Sequence, residues 1–220
     1  MRTARTSEEG SALKILLLGA TGATGRHVLE LALKSGDHVT ALARRPEALA
    51  ALKGRAAVIA GDATSPDDVA RAMEGQDAVI ATLGRRQSLR AEALFTRAAE
   101  AVVRAADRTG VTRLVWMSSF GVGDTIRDAS LVQRILYRTL LSDLYRNKEA
   151  SERIIRESGL DWTIVYPTAL TDGPATGNYR AADRIRMKGY PRISRADVAD
   201  FLLRAARDAA WIRRHAVITG

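Results

Sequence analysis

Residues 14–25 read KILLLGATGATG and place a glycine-rich turn between an apolar run and an amphipathic stretch. The apolar run, residues 13–18, is short and predicts a buried β-strand. After the turn, Val28 and Leu31 recur at helical spacing, and the pattern stops at Gly36, which predicts a helix. The turn therefore joins a first strand to a first helix, as at the start of a β-α-β arrangement.

Short apolar runs and amphipathic stretches alternate along the rest of the chain. They predict further strands at 38–43, 57–60, 78–83, 113–118, 161–166 and 215–219. They predict helices that begin at Ser65-Pro66 and Ser194 and that cover about 91–109 and 130–157. This alternation is typical of an α/β fold with a doubly wound parallel sheet. We expect a single domain over 13–220 with a small C-terminal substrate lobe, in which 168–190 is loop or at most a short helix.

The composition of the 220 residues excludes several classes of protein. Apolar residues make up 46% and charged residues 27%, which is ordinary for a globular chain. No apolar run approaches the ~20 residues of a membrane helix, so no membrane association is expected. There is no cysteine, and the three histidines form no ligand motif, so no metal site is expected. Residues 1–12 are polar and predict a short disordered tail rather than a secretory signal, hence a cytoplasmic protein.

The net charge of +9 leaves two interpretations open. A basic surface is typical of proteins that bind nucleic acid or another polyanion. The basic residues are mostly arginine, however, and they are spread along the chain without a run of five or more. We therefore attribute the charge to general arginine usage and expect no nucleic acid partner.

The glycine-rich turn has the features of a dinucleotide pyrophosphate site. The first glycine permits a tight turn, the second lets the phosphates approach the backbone, and the third allows close packing of helix on strand. The helix N-terminus then points its N–H groups at the anion, and two threonines add hydroxyl groups. The alternative is a glycine-rich turn without a ligand. The expected cofactor-binding residues of this turn are Gly19, Thr21, Gly22, Ala23, Thr24 and Gly25.

The end of the second strand indicates which nicotinamide cofactor is bound. An acidic residue there would hold the ribose 2′-hydroxyl of NAD, but the strand is followed by Arg44 and Arg45. A guanidinium group can donate two parallel hydrogen bonds to the oxygens of one phosphate. This dipeptide therefore favours the 2′-phosphate of NADP(H). The alternative is that both arginines are solvated residues before Pro46.

The glycine spacing Gly-x-x-Gly-x-x-Gly at 19–25 resembles that of extended and atypical short-chain dehydrogenase/reductases. The stretches 147–168, 170–179 and 193–201 are similar to the atypical members that include NmrA-like proteins and biliverdin IXβ/flavin reductases. Together the resemblance covers about 14–220. It implies a Rossmann-type fold and an NAD(P) cofactor, and it is much less specific about the substrate.

The resemblance implies further cofactor contacts where strands end. The aspartate after the third strand and its neighbour would border the adenine, although that aspartate also suits a turn cap. The segment after the fourth strand would pass the adenosine ribose and the pyrophosphate. Residues at the ends of the fifth and sixth strands are expected to contribute as well. The full set is Asp62, Ala63, Thr82, Leu83, Gly84, Ser118, Tyr166, Pro167 and Thr168.

The catalytic residues expected from the resemblance are Ser119 and Lys148. Better-known members use a serine, a tyrosine and a lysine four residues after the tyrosine, but here Leu144 takes the tyrosine position. Ser119 matches a serine near the hydride-transfer site of the flavin and biliverdin reductases. Lys148 would bond the nicotinamide ribose. The alternatives are a serine that caps a strand end and a lysine on a helix surface.

The sequence therefore predicts an NADPH-dependent oxidoreductase that transfers hydride to a flavin, a quinone or a similar flat acceptor. Such a transfer needs little acid–base chemistry from the protein. The alternative is a non-catalytic NADP(H)-binding sensor or regulator. Thr168 and Ala169 stand where related reductases carry a histidine, which disfavours an anionic tetrapyrrole substrate. Substrate loops are expected near 120–145 and 168–192, with Phe120, Tyr179 and Tyr190 as aromatic candidates, in a monomer or homodimer.

Overall fold

The computed structural model describes residues 11–52, 54–84, 93–128 and 142–220. Most of the predicted tail at 1–12 lies outside these ranges. So do residues 129–141, which belong to the predicted helix at 130–157 and to the expected substrate loop at 120–145.

The described residues form ten strands and five α-helices. The strands are β1 (Lys14–Leu18), β2 (His38–Ala43), β3 (Ala57–Ala60), β4 (Ala78–Ala81), β5 (Arg113–Met117), β6 (Asp161–Pro167), β7 (Ala169–Thr171), β8 (Arg180–Ala182), β9 (Arg192–Ser194) and β10 (Arg214–Thr219). The helices are α1 (Ala23–Lys34), α2 (Pro66–Met73), α3 (Leu94–Thr109), α4 (Ser142–Glu157) and α5 (Arg195–Arg207).

The predicted doubly wound parallel sheet is confirmed. Eight strands hydrogen-bond in the order β3-β2-β1-β4-β5-β6-β10-β8, and only the edge strand β8 runs antiparallel to its neighbour. The chain moves outward from β1 to β3, then crosses back so that β4 lies on the other side of β1. The strand order therefore reverses at β1 and β4, where α/β proteins of this kind bind ligands.

Both faces of the sheet are covered, because alternate residues of each strand point to opposite sides. Leu16 and Leu18 of β1 belong to a buried cluster that contains residues of α2, α3 and α4, including Phe95 and Ile155. Ile15 and its alternate neighbours lie in a second cluster with residues of α1 and α5. This explains why the strands are continuous apolar runs rather than alternating ones.

The polar signals that predicted helix starts act as caps. Ser65 accepts a hydrogen bond from the backbone N–H of Asp68 at 3.3 Å, and Pro66 is the first helical residue of α2. Ser194 accepts from the backbone N–H of Asp197 at 2.9 Å at the start of α5. In both cases the hydroxyl satisfies an N–H that has no partner within the helix.

The prediction for 168–190 is wrong in its detail. This segment contains the short strands β7 and β8 and no helix among its described residues. β7 pairs with β9 in a small separate sheet, and β8 extends the main sheet beyond β10. Strands of three residues are too short for a period of two to show in the sequence, and only distant pairing partners stabilise them.

Among the described residues, no helix is both long and apolar enough to cross a membrane.

Candidate active site

The parallel strands bring most of the predicted site residues to one edge of the sheet. Their carboxyl ends lie side by side, so the residues that follow neighbouring strands are neighbours in space. In spatial order from β3 to β6, these include Asp62, Arg44, Gly19, Thr82, Ser119 and Thr168.

The glycine-rich turn is held by contacts that leave no room for side chains. Gly19 has φ +89°, a left-handed conformation that favours glycine, and its carbonyl accepts from the N–H of Gly22 at 3.0 Å. A Cβ on Gly25 would lie 2.1 Å from the carbonyl oxygen of Gly19. The first turn of α1 therefore lies directly against the end of β1, as the motif predicts.

Thr82 ties this turn to β4. Its backbone N–H donates to the carbonyl of Leu18 at 2.8 Å, and its hydroxyl donates to the same carbonyl at 3.2 Å. A Cβ on Gly19 would lie 2.8 Å from the carbonyl oxygen of Thr82. The predicted residues after β1 and β4 are thus packed together at the point where the strand order reverses.

The residues present fit the pyrophosphate of a dinucleotide. The N-cap of α1 is Gly22, and among the described residues no side chain caps this N-terminus. Its first turn contains no acidic residue. The turn therefore presents N–H groups and the positive end of the helix dipole to an anion.

The residues after β2 and β3 have different environments. Arg44 and Arg45 are exposed. Asp62 accepts hydrogen bonds from the N–H and the hydroxyl of Thr64, at 2.8 and 2.9 Å. Asp62 thus acts as the turn cap that the sequence left as an alternative, while its backbone N–H donates to Asp68 at 2.9 Å.

Ser119 and Lys148 meet at the carboxyl end of β5. The Nζ of Lys148 donates to the Oγ of Ser119 at 2.7 Å, although 29 residues separate them in the chain. Lys148 is only 6% exposed, and its Nζ lies 5.0 Å from the centre of the Phe95 ring. Burial lowers the pKa of Lys148 to about 8, and the negative charge of Glu152 opposes that shift. We call these two residues the Ser119–Lys148 pair.

The position four residues before Lys148, where better-known members of the resembled family carry a catalytic tyrosine, is occupied here by the apolar residue Leu144. Leu144 packs against the apolar cluster on the α3 and α4 side of the sheet. Tyr145, the next residue, donates its hydroxyl to the backbone carbonyl of Phe120 at 3.2 Å. The acidic group nearest to Ser119 is therefore the ammonium of Lys148 rather than a phenol.

The structure does not bring every predicted side chain to the sheet edge. Ser118 and Tyr166 are buried on the α4 side, where each donates its hydroxyl to Glu152 at 2.5 Å. Thr168 is buried as well and donates to the hydroxyl of Thr219 at 3.2 Å. Any contact of Ser118 or Tyr166 with a cofactor would therefore involve the backbone.

Two of the three aromatic candidates are packing residues. Phe120 is buried in the core, and Tyr179 donates its hydroxyl to Asp200 at 2.7 Å while its ring packs edge-on against Phe201. Tyr190 is 55% exposed, and the guanidinium of Arg192 lies over its ring.

Sequence reasoning missed Glu152 and Arg156. Glu152 is 4% exposed, and Arg156 donates to the hydroxyl of Tyr166 at 3.0 Å. A signal was present, because Lys148, Glu152 and Arg156 recur every four residues and so share one face of α4. Charged residues at this spacing usually lie on a solvated helix surface, so the pattern did not reveal that Lys148 and Glu152 are buried.

The fold and this edge define an NAD(P)-binding Rossmann protein of the oxidoreductase type. The model of the NAD(P)H-binding family matches residues 19–209. The chain belongs to this family. The NAD(P)-binding Rossmann family that the resemblance implies is thereby confirmed.

Individual relatives agree with this assignment. The chain is 31% identical over 193 residues to the Bacillus subtilis protein YhfK, named an uncharacterized sugar epimerase, with 85% of each chain covered. It is 28% identical to ChuY, an anaerobilin reductase from Escherichia coli O157:H7, with a TM-score of 0.79 over 93% of this chain and 96% of that one. A Veillonella parvula short-chain dehydrogenase/reductase in complex with NADP shares the fold, with 19% identity, a TM-score of 0.78 and 94% of each chain covered.

The contact of Gly25 with Gly19 makes a direct prediction. In G25A the new methyl group would meet backbone that cannot move without breaking the turn. We expect a loss of about 3 kcal/mol in the free energy of unfolding, with loss of NADPH binding. G159A is the matched control, because a Cβ there meets no heavy atom within 4 Å. Urea denaturation and a fluorescence titration measure both effects, and a G25A variant that binds NADPH normally would contradict this account.

Proposed function

We propose that this protein is an NADPH-dependent reductase that transfers hydride to a flavin, a quinone or a similar flat acceptor. The observation that carries the proposal is the Ser119–Lys148 pair, whose 2.7 Å hydrogen bond lies next to the predicted cofactor crevice. A buried lysine without a carboxylate in hydrogen-bond contact is costly to folding, so a chemical role explains its presence better than a structural one.

The pair supports proton delivery to a reduced acceptor. When bound, NADPH supplies the hydride, which carries two electrons and one proton. The hydroxyl of Ser119 donates the second proton to the acceptor, and the ammonium of Lys148 replaces it through their hydrogen bond. With a pKa of about 8, Lys148 holds a proton at neutral pH and releases it readily. This arrangement needs no tyrosine acid and agrees with Leu144 at the tyrosine position.

The choice of a flat acceptor rests on the chemistry that the site offers. Flavins and quinones accept hydride without a strong protein acid, so a hydroxyl group that is hydrogen-bonded to the ammonium of Lys148 is sufficient as the proton donor. The reductase name of ChuY, which shares 28% of its sequence with this chain, supports a redox role.

A second candidate function is a non-catalytic NADP(H) sensor, and Leu144 is the observation that favours it. A protein that binds the cofactor without turning it over needs no proton donor. The burial of Lys148 beside Ser119 argues against this function, because a sensor would gain nothing from a desolvated ammonium group.

The exposed dipeptide after β2 makes a prediction about the cofactor. The double variant R44A/R45A removes two guanidinium groups from the place where a 2′-phosphate would lie. Hydrogen bonds to a charged partner contribute about 1.5–3 kcal/mol, so the Kd for NADPH should rise roughly 10- to 100-fold. The Kd for NADH should stay unchanged. R55A, another exposed arginine, is the control, and equal losses for both nucleotides would refute the 2′-phosphate contact.

Turnover tests the reductase directly. We expect loss of the reduced-nicotinamide absorbance when NADPH is mixed with riboflavin, FMN or menadione. S119A and K148M should each lower kcat about 100-fold while NADPH still binds, because they remove the proton donor. Tight NADPH binding without oxidation by any acceptor would favour the sensor. Epimerisation of a sugar, the reaction that the name of YhfK suggests, would overturn the proposal.

A further inference from the structure

Behind the Ser119–Lys148 pair lies a second buried polar cluster. Glu152, one helical turn after Lys148, accepts hydrogen bonds from Ser118 and Tyr166, each at 2.5 Å. Arg156, a further turn along α4, donates to the same tyrosine hydroxyl at 3.0 Å. The cluster thus follows one face of α4 from the site toward the far end of the helix.

The hydrogen-bond directions give Glu152 two hydroxyl donors. Arg156 has only N–H donors, so the hydroxyl oxygen of Tyr166 is the acceptor in their contact. The proton of Tyr166 therefore points to Oε2 of Glu152, and Ser118 occupies Oε1. Two hydroxyl donors favour the ionised form of a buried carboxyl group. Burial raises the pKa of Glu152, and the donors that face it oppose this shift.

Glu152 is also placed to act on Lys148. Residues four apart on a helix are neighbours, and both side chains are almost fully buried, so solvent screens their interaction weakly. Among the described residues, the other groups shown in contact with Lys148 are the Ser119 hydroxyl and the Phe95 ring, and neither carries a net charge.

We propose that Glu152 is a positioning residue that keeps Lys148 in its protonated form, so that the Ser119–Lys148 pair holds a proton for the acceptor. Ser118 and Tyr166 in turn keep Glu152 ionised. This proposal rests on the proposed reductase function and extends it to a residue that touches neither cofactor nor acceptor.

Glu152 meets solvent at a cavity of about 420 Å³ between α4, β6 and β10. Among the described residues, the titratable groups that face this cavity, besides Glu152 itself, are Asp124, Glu149, Arg153, Arg156, Glu157, Tyr166 and His215. Burial, together with the positive charge of Arg156, lowers the pKa of His215 below its ordinary value. Burial lowers the pKa of Lys148 to about 8, so the charge of this group changes within the pH range of the test.

The test measures the titration of Lys148 in the intact protein by NMR of its ¹⁵N-labelled ammonium group, with K148M to identify the signal. The wild type should titrate near pH 8. Removing the negative charge in E152Q disfavours the ammonium further, so the midpoint should fall by about one pH unit. E152D should restore most of the difference. E149Q is the matched control, because Glu149 lines the same cavity but is exposed.

The same variants are then compared in turnover. The alkaline limb of the kcat/KM profile should move to lower pH in E152Q, in step with the NMR midpoint, and should stay in place in E149Q. A merely structural role of Glu152 would lower activity at every pH without moving the limb. If E152Q does not fold, Y166F removes one donor to Glu152 and should give a smaller shift in the same direction.

The two measurements separate the two proposals. An unchanged Lys148 midpoint in folded E152Q overturns the role of Glu152, whether or not the protein reduces an acceptor. The Lys148 midpoint could instead fall in E152Q while the protein fails to oxidise NADPH, whichever acceptor is supplied. That result supports the coupling of the two residues and overturns the reductase.

Discussion

The contact between Gly25, the carbonyl of Gly19 and Thr82 is the constraint on which the site depends. It joins the end of β1, the first turn of α1 and the residue after β4 at one point. That point is where the strand order reverses, so the contact also sets the crevice in which a dinucleotide can lie. A side chain at Gly25 would separate helix from strand and remove the N–H groups that face the anion.

The parallel strands next to this point connect the glycine turn to the Ser119–Lys148 pair. β4, β5 and β6 are parallel neighbours, which places Ser119 two strands from the glycine turn at the same edge. α4 packs over these strands and brings Lys148 to Ser119 and Glu152 to Ser118. The polar groups under α4 cost folding free energy through desolvation. Natural proteins keep such costly groups mainly where function needs them, which is why the cluster points to a site.

Much of the fold was predictable because its signals are local. β2 and β3 begin and end where their apolar runs do, and Ser65 and Ser194 mark helix starts through their own side chains. The strands within 168–192 were not predictable, since their pairing with β9 and β10 is decided by distant segments. The glycine turn could be recognised from its spacing together with its position between the first strand and the first helix. The cluster around Glu152 could not, because its partners Ser118 and Tyr166 come from the end of β5 and from β6, far from α4 in the chain.

The most direct test of this account is a crystal structure of the protein with NADP+. The account predicts a pyrophosphate on the N–H groups of the turn at 19–25 and a nicotinamide ribose within hydrogen-bond distance of Lys148. It also predicts a 2′-phosphate at Arg44 or Arg45. A nucleotide whose nicotinamide end lies away from the Ser119–Lys148 pair would contradict the account.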